Sequence, residues 1–111
     1  MSRATASVSC SETDIKSVIF EYLVRRGHLV WRDPQKPYRQ TRGVFPESKG
    51  KPDVMGIARK GKWAGKFFGL EIKKPGGTVS QEQTKFLLEV LETGNLAFTA
   101  NCLDDVRLKG L

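Results

Sequence analysis

Apolar residues at Ile15, Val18, Ile19, Tyr22 and Leu23 recur at the i, i+3, i+4, i+7, i+8 spacing of one helical face, which predicts a first helix over about 12 to 26. Ser11 stands at the N-cap, Glu12 and Asp14 sit where the helix dipole favours negative charge, and Gly27 supplies the stop. His28 to Arg32 then reads as a short strand. From Asp33 to Lys51 periodicity is lost, and Pro34, Pro37, Gly43, Pro46 and Gly50 interrupt every run, so a long loop is expected there.

Two apolar runs follow, Asp53 to Arg59 and Phe67 to Lys74, joined by the Gly-punctuated turn Lys60 to Lys66, and they predict an antiparallel strand pair. Pro75-Gly76-Gly77 takes the chain out of the sheet. Ser80 with Gln83 three residues on forms a capping box, and Phe86, Leu87, Val90 and Leu91 give the helix it opens an apolar face that ends at Gly94. Leu96 to Ala100 is a fourth strand, and Leu103 to Leu108 a short closing helix begun by Asp104 or Asp105. The order is α-β-β-β-α-β with an optional last helix, which is the α/β class with a mixed sheet flanked by helices. Residues 1–10 are expected to be a flexible segment and 11–111 a single domain, since a chain of 111 residues has no room for a second core.

The second of those paired strands carries the chemistry. Period-two alternation buries Leu70 and Ile72 on one face and sends Glu71 and Lys73 out together on the other. On the preceding strand Asp53 supplies a second carboxylate, so two acids and an amine can meet at adjacent strands. At about 100° per residue, Glu12 projects about 50° from the centre of the first helix's apolar stripe, and Glu21 about 130° from it. Gln83 lies within about 20° of the centre of the second helix's apolar face, whereas Gln81 points about 150° away. Hard oxygen ligands of this kind hold Mg²⁺ or Mn²⁺, and the Ile72 carbonyl can add to Glu12, Asp53 and Glu71. Lys73 beside such a site can orient or deprotonate a water, or stabilise the charge of a phosphorane. Taken alone, Glu71 and Lys73 also fit a surface ion pair.

Charge sharpens the choice. Nineteen Lys and Arg against twelve Asp and Glu give a net charge of +7 and favour a polyanionic partner. Arg32, Lys36, Arg39, Arg42, Lys49 and Lys51 are spread along the long loop with Tyr38 and Phe45 between them, a composition suited to phosphates and bases. Cys10 and Cys102 have no metal-ligand companions and are expected as free thiols. With neither a signal-peptide core nor an apolar run of membrane length, a cytoplasmic protein is expected. Trp31, Trp63, Phe67 and Phe68 are apolar enough for a dimer contact but fit a core equally well.

From Ser11-Glu12 and Ile15 through Tyr22-Leu23, Gly27, Val30-Trp31-Arg32, Gly50-Lys51-Pro52-Asp53, Gly69-Leu70-Glu71-Ile72-Lys73, Gly77, Ser80, Gln83 and Gly94, the chain resembles the PD-(D/E)xK nucleases. Within them it looks like the small stand-alone VRR-NUC domains of phages and bacteria. The resemblance covers about 12 to 99. It implies a restriction-endonuclease-like αβββαβ core in which Asp53 and Glu71 bind metal, Lys73 serves catalysis, and Glu12 and Gln83 support the site. It also implies a homodimer that cuts branched DNA, Holliday junctions included. Because related archaeal resolvases place the helical acid closer to the glycine that ends the helix, Glu21 is the weaker alternative to Glu12. Cleavage of flaps or of unbranched DNA is the alternative activity, and a DNA-binding module that has kept the fold without the reaction is the alternative class.

Overall fold

Residues 11–32 and 51–111 are described here from a computed structural model; the segment 1–10 and the loop cations Lys36, Arg39, Arg42 and Lys49 lie outside them. Helix α1 (Glu12–Arg25) starts where its capping residues place it. Ser11 Oγ accepts from Asp14 N–H at 3.1 Å, and Asp14 returns a carboxylate oxygen to Ser11 N–H at 3.2 Å, so donors left orphaned at the helix start are satisfied locally. Gly27, with φ of +93°, turns the chain out of the helix. The buried side chains of α1 are Ile15, Ile19 and Leu23, while Val18 is 51% exposed and Lys16 and Phe20 are half-buried. The buried arc is therefore rotated by about 30° from the predicted stripe, toward Glu12 and Lys16.

Strands β1 (Leu29–Arg32), β2 (Val54–Ile57), β3 (Phe67–Ile72) and β4 (Leu96–Ala100) form one sheet in that order. β1 and β2, and β2 and β3, pair antiparallel; β3 and β4 pair parallel through the crossover helix α2 (Gln81–Glu92). A closing helix α3 (Leu103–Leu108) follows, with Cys102 rather than an aspartate at its N-cap. The helix-strand order and the mixed sheet are as the periodicity predicts. Strand β2 begins one residue later than expected, because the chain bends at Asp53.

Leu70 and Ile72 point from β3 into the main core, where they meet Ile15, Ile19, Leu23, Val54, Phe68, Phe98 and Val106. Full burial of each such side chain is worth about 1.5–3 kcal/mol, so this face is the fold's principal source of stability. The opposite face of β3 is also covered, because α2 lays Leu87 over it with Phe86 and Val90 half-buried. Leu91 stays 46% exposed, so the apolar face of α2 is narrower than its sequence predicts. Of the four aromatic residues considered for contact between subunits, Phe68 is fully buried in the core and only Trp31 is exposed.

His28 is a structural residue. Its Nδ1 accepts from Arg59 N–H at 3.0 Å, which leaves Nε2 to carry the proton and donate to the Leu111 main-chain oxygen at 3.0 Å. Among the described residues no helix is long and apolar enough to cross a membrane, and Cys102 is an exposed free thiol.

Candidate functional site

The bend at Asp53 does two things at once. It swings Pro52 onto β3 beside Gly69, where an added Cβ would come within 2.9 Å of the proline ring. It also carries the Asp53 carboxylate to the end of β3, where Oδ2 accepts from the Ile72 N–H at 3.0 Å. A side chain thus continues the hydrogen-bond ladder where β2 has not yet begun. That bond fixes one oxygen of Asp53 and leaves Oδ1 to face Lys16 Nζ at 3.3 Å.

Glu71 is 1% exposed, an extreme value for a carboxylate. Its Oε2 accepts from Gln83 Nε2 at 2.7 Å and lies 3.7 Å from Lys73 Nζ. Its Oε1 is buried with no hydrogen-bond partner among the described residues. Burial first, and then the charge of the neighbouring Asp53, push the Glu71 carboxyl up to about 8, against the opposing pull of Lys73 and Lys16. Buried charge is costly, so with nothing else bound the site holds a proton. An oxygen with no partner, beside a second carboxylate, is the opening a cation fills.

Gln83 is fixed from both sides. Its Oε1 accepts from Ser80 N–H at 2.8 Å and Ser80 Oγ accepts from Gln83 N–H at 3.1 Å, so the amide nitrogen must face Glu71. The inward orientation read from angular position is therefore present, with the capping box as its physical cause. Gln81 is exposed, as expected.

The structure brings together Asp53, Glu71, Lys73 and Gln83 from the predicted set. It adds Lys16, whose place on the buried side of α1 is concealed in the sequence by the exposed Val18. Glu12 is half-buried one turn before Lys16, but no group of three or more His, Cys, Asp or Glu able to hold a metal forms among the described residues. The predicted three-acid set is thus a pair here, with Lys16 occupying the approach from α1. Glu21, the weaker alternative, is on the surface and pairs with Arg25 at 3.0 Å. Arg32 lies with its guanidinium 4.5 Å from the Phe20 ring centre, and Lys51 is half-buried just before Pro52.

The donor set fits a hard divalent cation: two carboxylates on adjacent elements, one with an unsatisfied buried oxygen, and amide support behind it. Lys16 and Lys73 balance those acids in the structure described.

No protein-family profile matches the chain, and no curated protein sequence matches it. Among solved structures, one described as a VRR_NUC domain protein has a TM-score of 0.65 to this chain at 20% sequence identity, covering 87% of this chain and 82% of that one. That likeness shows the fold: a restriction-endonuclease-like mixed sheet flanked by helices, of the kind seen in VRR-NUC domains.

Proposed function

We propose that this chain is a metal-dependent endonuclease of branched DNA, acting as a homodimer with Asp53 and Glu71 as the acids of each site. The observation that carries the reading is the buried Glu71, with one oxygen unpartnered, held against Asp53 by Gln83 at the end of β3. A structural ion pair has no use for an orphaned carboxylate oxygen in the interior. The VRR_NUC fold likeness and the +7 charge point the same way.

Asp53 and Glu71 are the residues to hold Mg²⁺ or Mn²⁺, with the Ile72 carbonyl and Glu12 as the further candidates. The ion when bound supplies Lewis-acid stabilisation of the phosphoryl oxygens and acidifies a water. Gln83 fixes the orientation of Glu71, so the acid does not have to reorganise during reaction. The Asp53 bond to Ile72 N–H holds the other acid to the strand that carries Glu71. Lys73 places an ammonium beside the same acids, where it offsets charge that develops on the phosphate as the P–O bond breaks. Arg32, Lys51 and the loop cations Lys36, Arg39, Arg42 and Lys49 are the residues assigned to the DNA backbone. Two-fold pairing presents two equivalent sites, as symmetric cutting of a four-way junction requires.

The test is cleavage of labelled four-way junction, flap and linear duplex at equal concentration with Mn²⁺. Paired cuts in opposite strands of the junction, at a rate about tenfold above that on linear duplex, are expected. Equal rates on all three would leave a less specific nuclease, preference for the flap would replace the junction assignment, and no metal-dependent, Asp53-dependent cleavage of any of them would sink the reading. Lys16 offers a separate check, since its ammonium competes with a cation for Asp53 Oδ1. Lys16→Met is expected to tighten Mn²⁺ binding about threefold in calorimetry, the scale of a partly exposed ion pair. Weaker binding would mean that Lys16 instead holds Asp53 in its working position.

A further inference from the structure

At the far end of β2 and β3 from the acid pair, the turn Ala58 to Lys66 carries Arg59, Lys60, Lys62 and Lys66 and no acid, so four of the nineteen Lys and Arg fall within nine residues without an opposing charge. All four are exposed, and none is in an ion pair among the described residues. The turn is nevertheless ordered. Ala58 N–H donates to Lys66 O at 2.9 Å, Gly65 N–H to Ala58 O at 2.7 Å and Lys66 N–H to Trp63 O at 2.8 Å. Trp63 is half-buried and its Nε1 donates to Lys109 O at 2.8 Å, which clamps the turn to the end of α3. That clamp brings in a fifth cation, Lys109.

Like charges fixed on a rigid turn repel one another, and the repulsion counts against the folded state unless a partner relieves it. Exposed lysines that serve only solubility need no such order and are more often interspersed with acids. We propose that this turn is a second phosphate-binding surface, which grips duplex DNA away from the bond to be cut. Five residues of extended chain separate Asp53 from Ala58, roughly 16 Å. Half a turn of B-form DNA is about 17 Å long, so a duplex running along the sheet from the acid pair passes the turn about five base pairs away. Within the turn itself Ala64 is the one exposed apolar side chain, and the half-buried Trp63 is held by its bond to Lys109; Leu108 beside Lys109 and Ile57 before the turn are exposed, so vesicles are the arm of the test that separates a lipid surface from DNA.

This assignment builds on the DNA reading above but is tested by binding alone. In metal-free buffer with chelator, the anisotropy of a labelled duplex of about 20 base pairs is titrated with the parent and with a variant carrying Arg59→Gln, Lys60→Gln, Lys62→Gln and Lys66→Gln. The expected result is binding at least about tenfold weaker, with the slope of log affinity against log salt reduced by about 2 to 4, since each phosphate contact contributes about 0.9. A variant with Lys60→Arg, Lys62→Arg and Lys66→Arg keeps the parent's slope, which separates charge from a folding defect. Unchanged affinity and slope in the glutamine variant would overturn the proposal. So would turn-dependent binding to anionic vesicles as tight as that to DNA. Turn-dependent DNA binding by a protein that shows no metal-dependent cleavage upholds this surface and rejects the nuclease reading.

Discussion

Glu71→Gln is expected to give a protein that cleaves DNA at least about 100-fold more slowly and yet resists denaturation better than its parent at pH 8 to 9. Activity falls because an amide oxygen is a poor ligand for a hard cation where a carboxylate stood. Stability rises for the reason that raises the carboxyl to about 8 in the folded chain against 4.5 as its ordinary value. Between those pH values the unfolded chain releases a proton that the folded one retains, so stability falls as pH rises through the window, and the loss is complete above the folded value. The amide never ionises and carries no such penalty. In chelator, urea denaturation should show the variant ahead of the parent by on the order of a few kcal/mol at pH 9, with the gap closing toward pH 5. Parallel pH trends in the two proteins would show that Glu71 is not carrying a proton in the folded state.

Gly56→Ala is expected to cost about 3 kcal/mol or more, a large share of the stability of so small a domain. Gly56 sits in the middle of β2, opposite Val30 on β1 and Phe68 on β3. A Cβ there would come within 2.4 Å of the Leu29 carbonyl oxygen and 2.6 Å of the Phe68 ring. Neither can yield cheaply: one is main chain in the β1–β2 ladder, and Phe68 is fully buried in the core. The urea midpoint should drop sharply, with β1 the first strand to lose amide protection, and a midpoint within the error of the parent would show that β1 can move away. Cleavage by whatever fraction remains folded should be normal, since Gly56 lies three residues from Asp53 and its near neighbours are Leu29 and Phe68 rather than the acids.

The two predictions divide the molecule into what its sequence displays and what it hides. Ser11 before the first-turn acids Glu12 and Asp14, and Ser80 with Gln83, are local signals, and the helix starts they mark are where the structure has them. The alternation through Leu70, Glu71 and Ile72 likewise places the acid on the face opposite the core residues. Periodicity does not reveal that the acid's own face is buried as well, because the cover comes from α2, after the turn at Pro75-Gly76-Gly77. Glu71 therefore reads as half of a surface ion pair when taken alone, and as a buried acid with one unpartnered oxygen once α2 is in place. Lys16 is missed for a related reason. Val18 completes an apolar stripe in the sequence yet faces outward, and only the packing of α1 against the sheet shows that Lys16 is on the working side. The bend at Asp53 depends on the missing Cβ of Gly69, sixteen residues on and brought alongside by strand pairing.

Gln83 caps a helix with one end of its amide and holds an acid with the other. The alignment of Glu71 therefore depends on the start of α2 being in place. A chain with β2 and β3 paired but α2 unformed has Asp53 tied to the Ile72 N–H and Glu71 without its amide partner. In a protein proposed to cut branched DNA, the second acid thus takes its working position from a helix that lies beyond both acid-bearing strands in the chain.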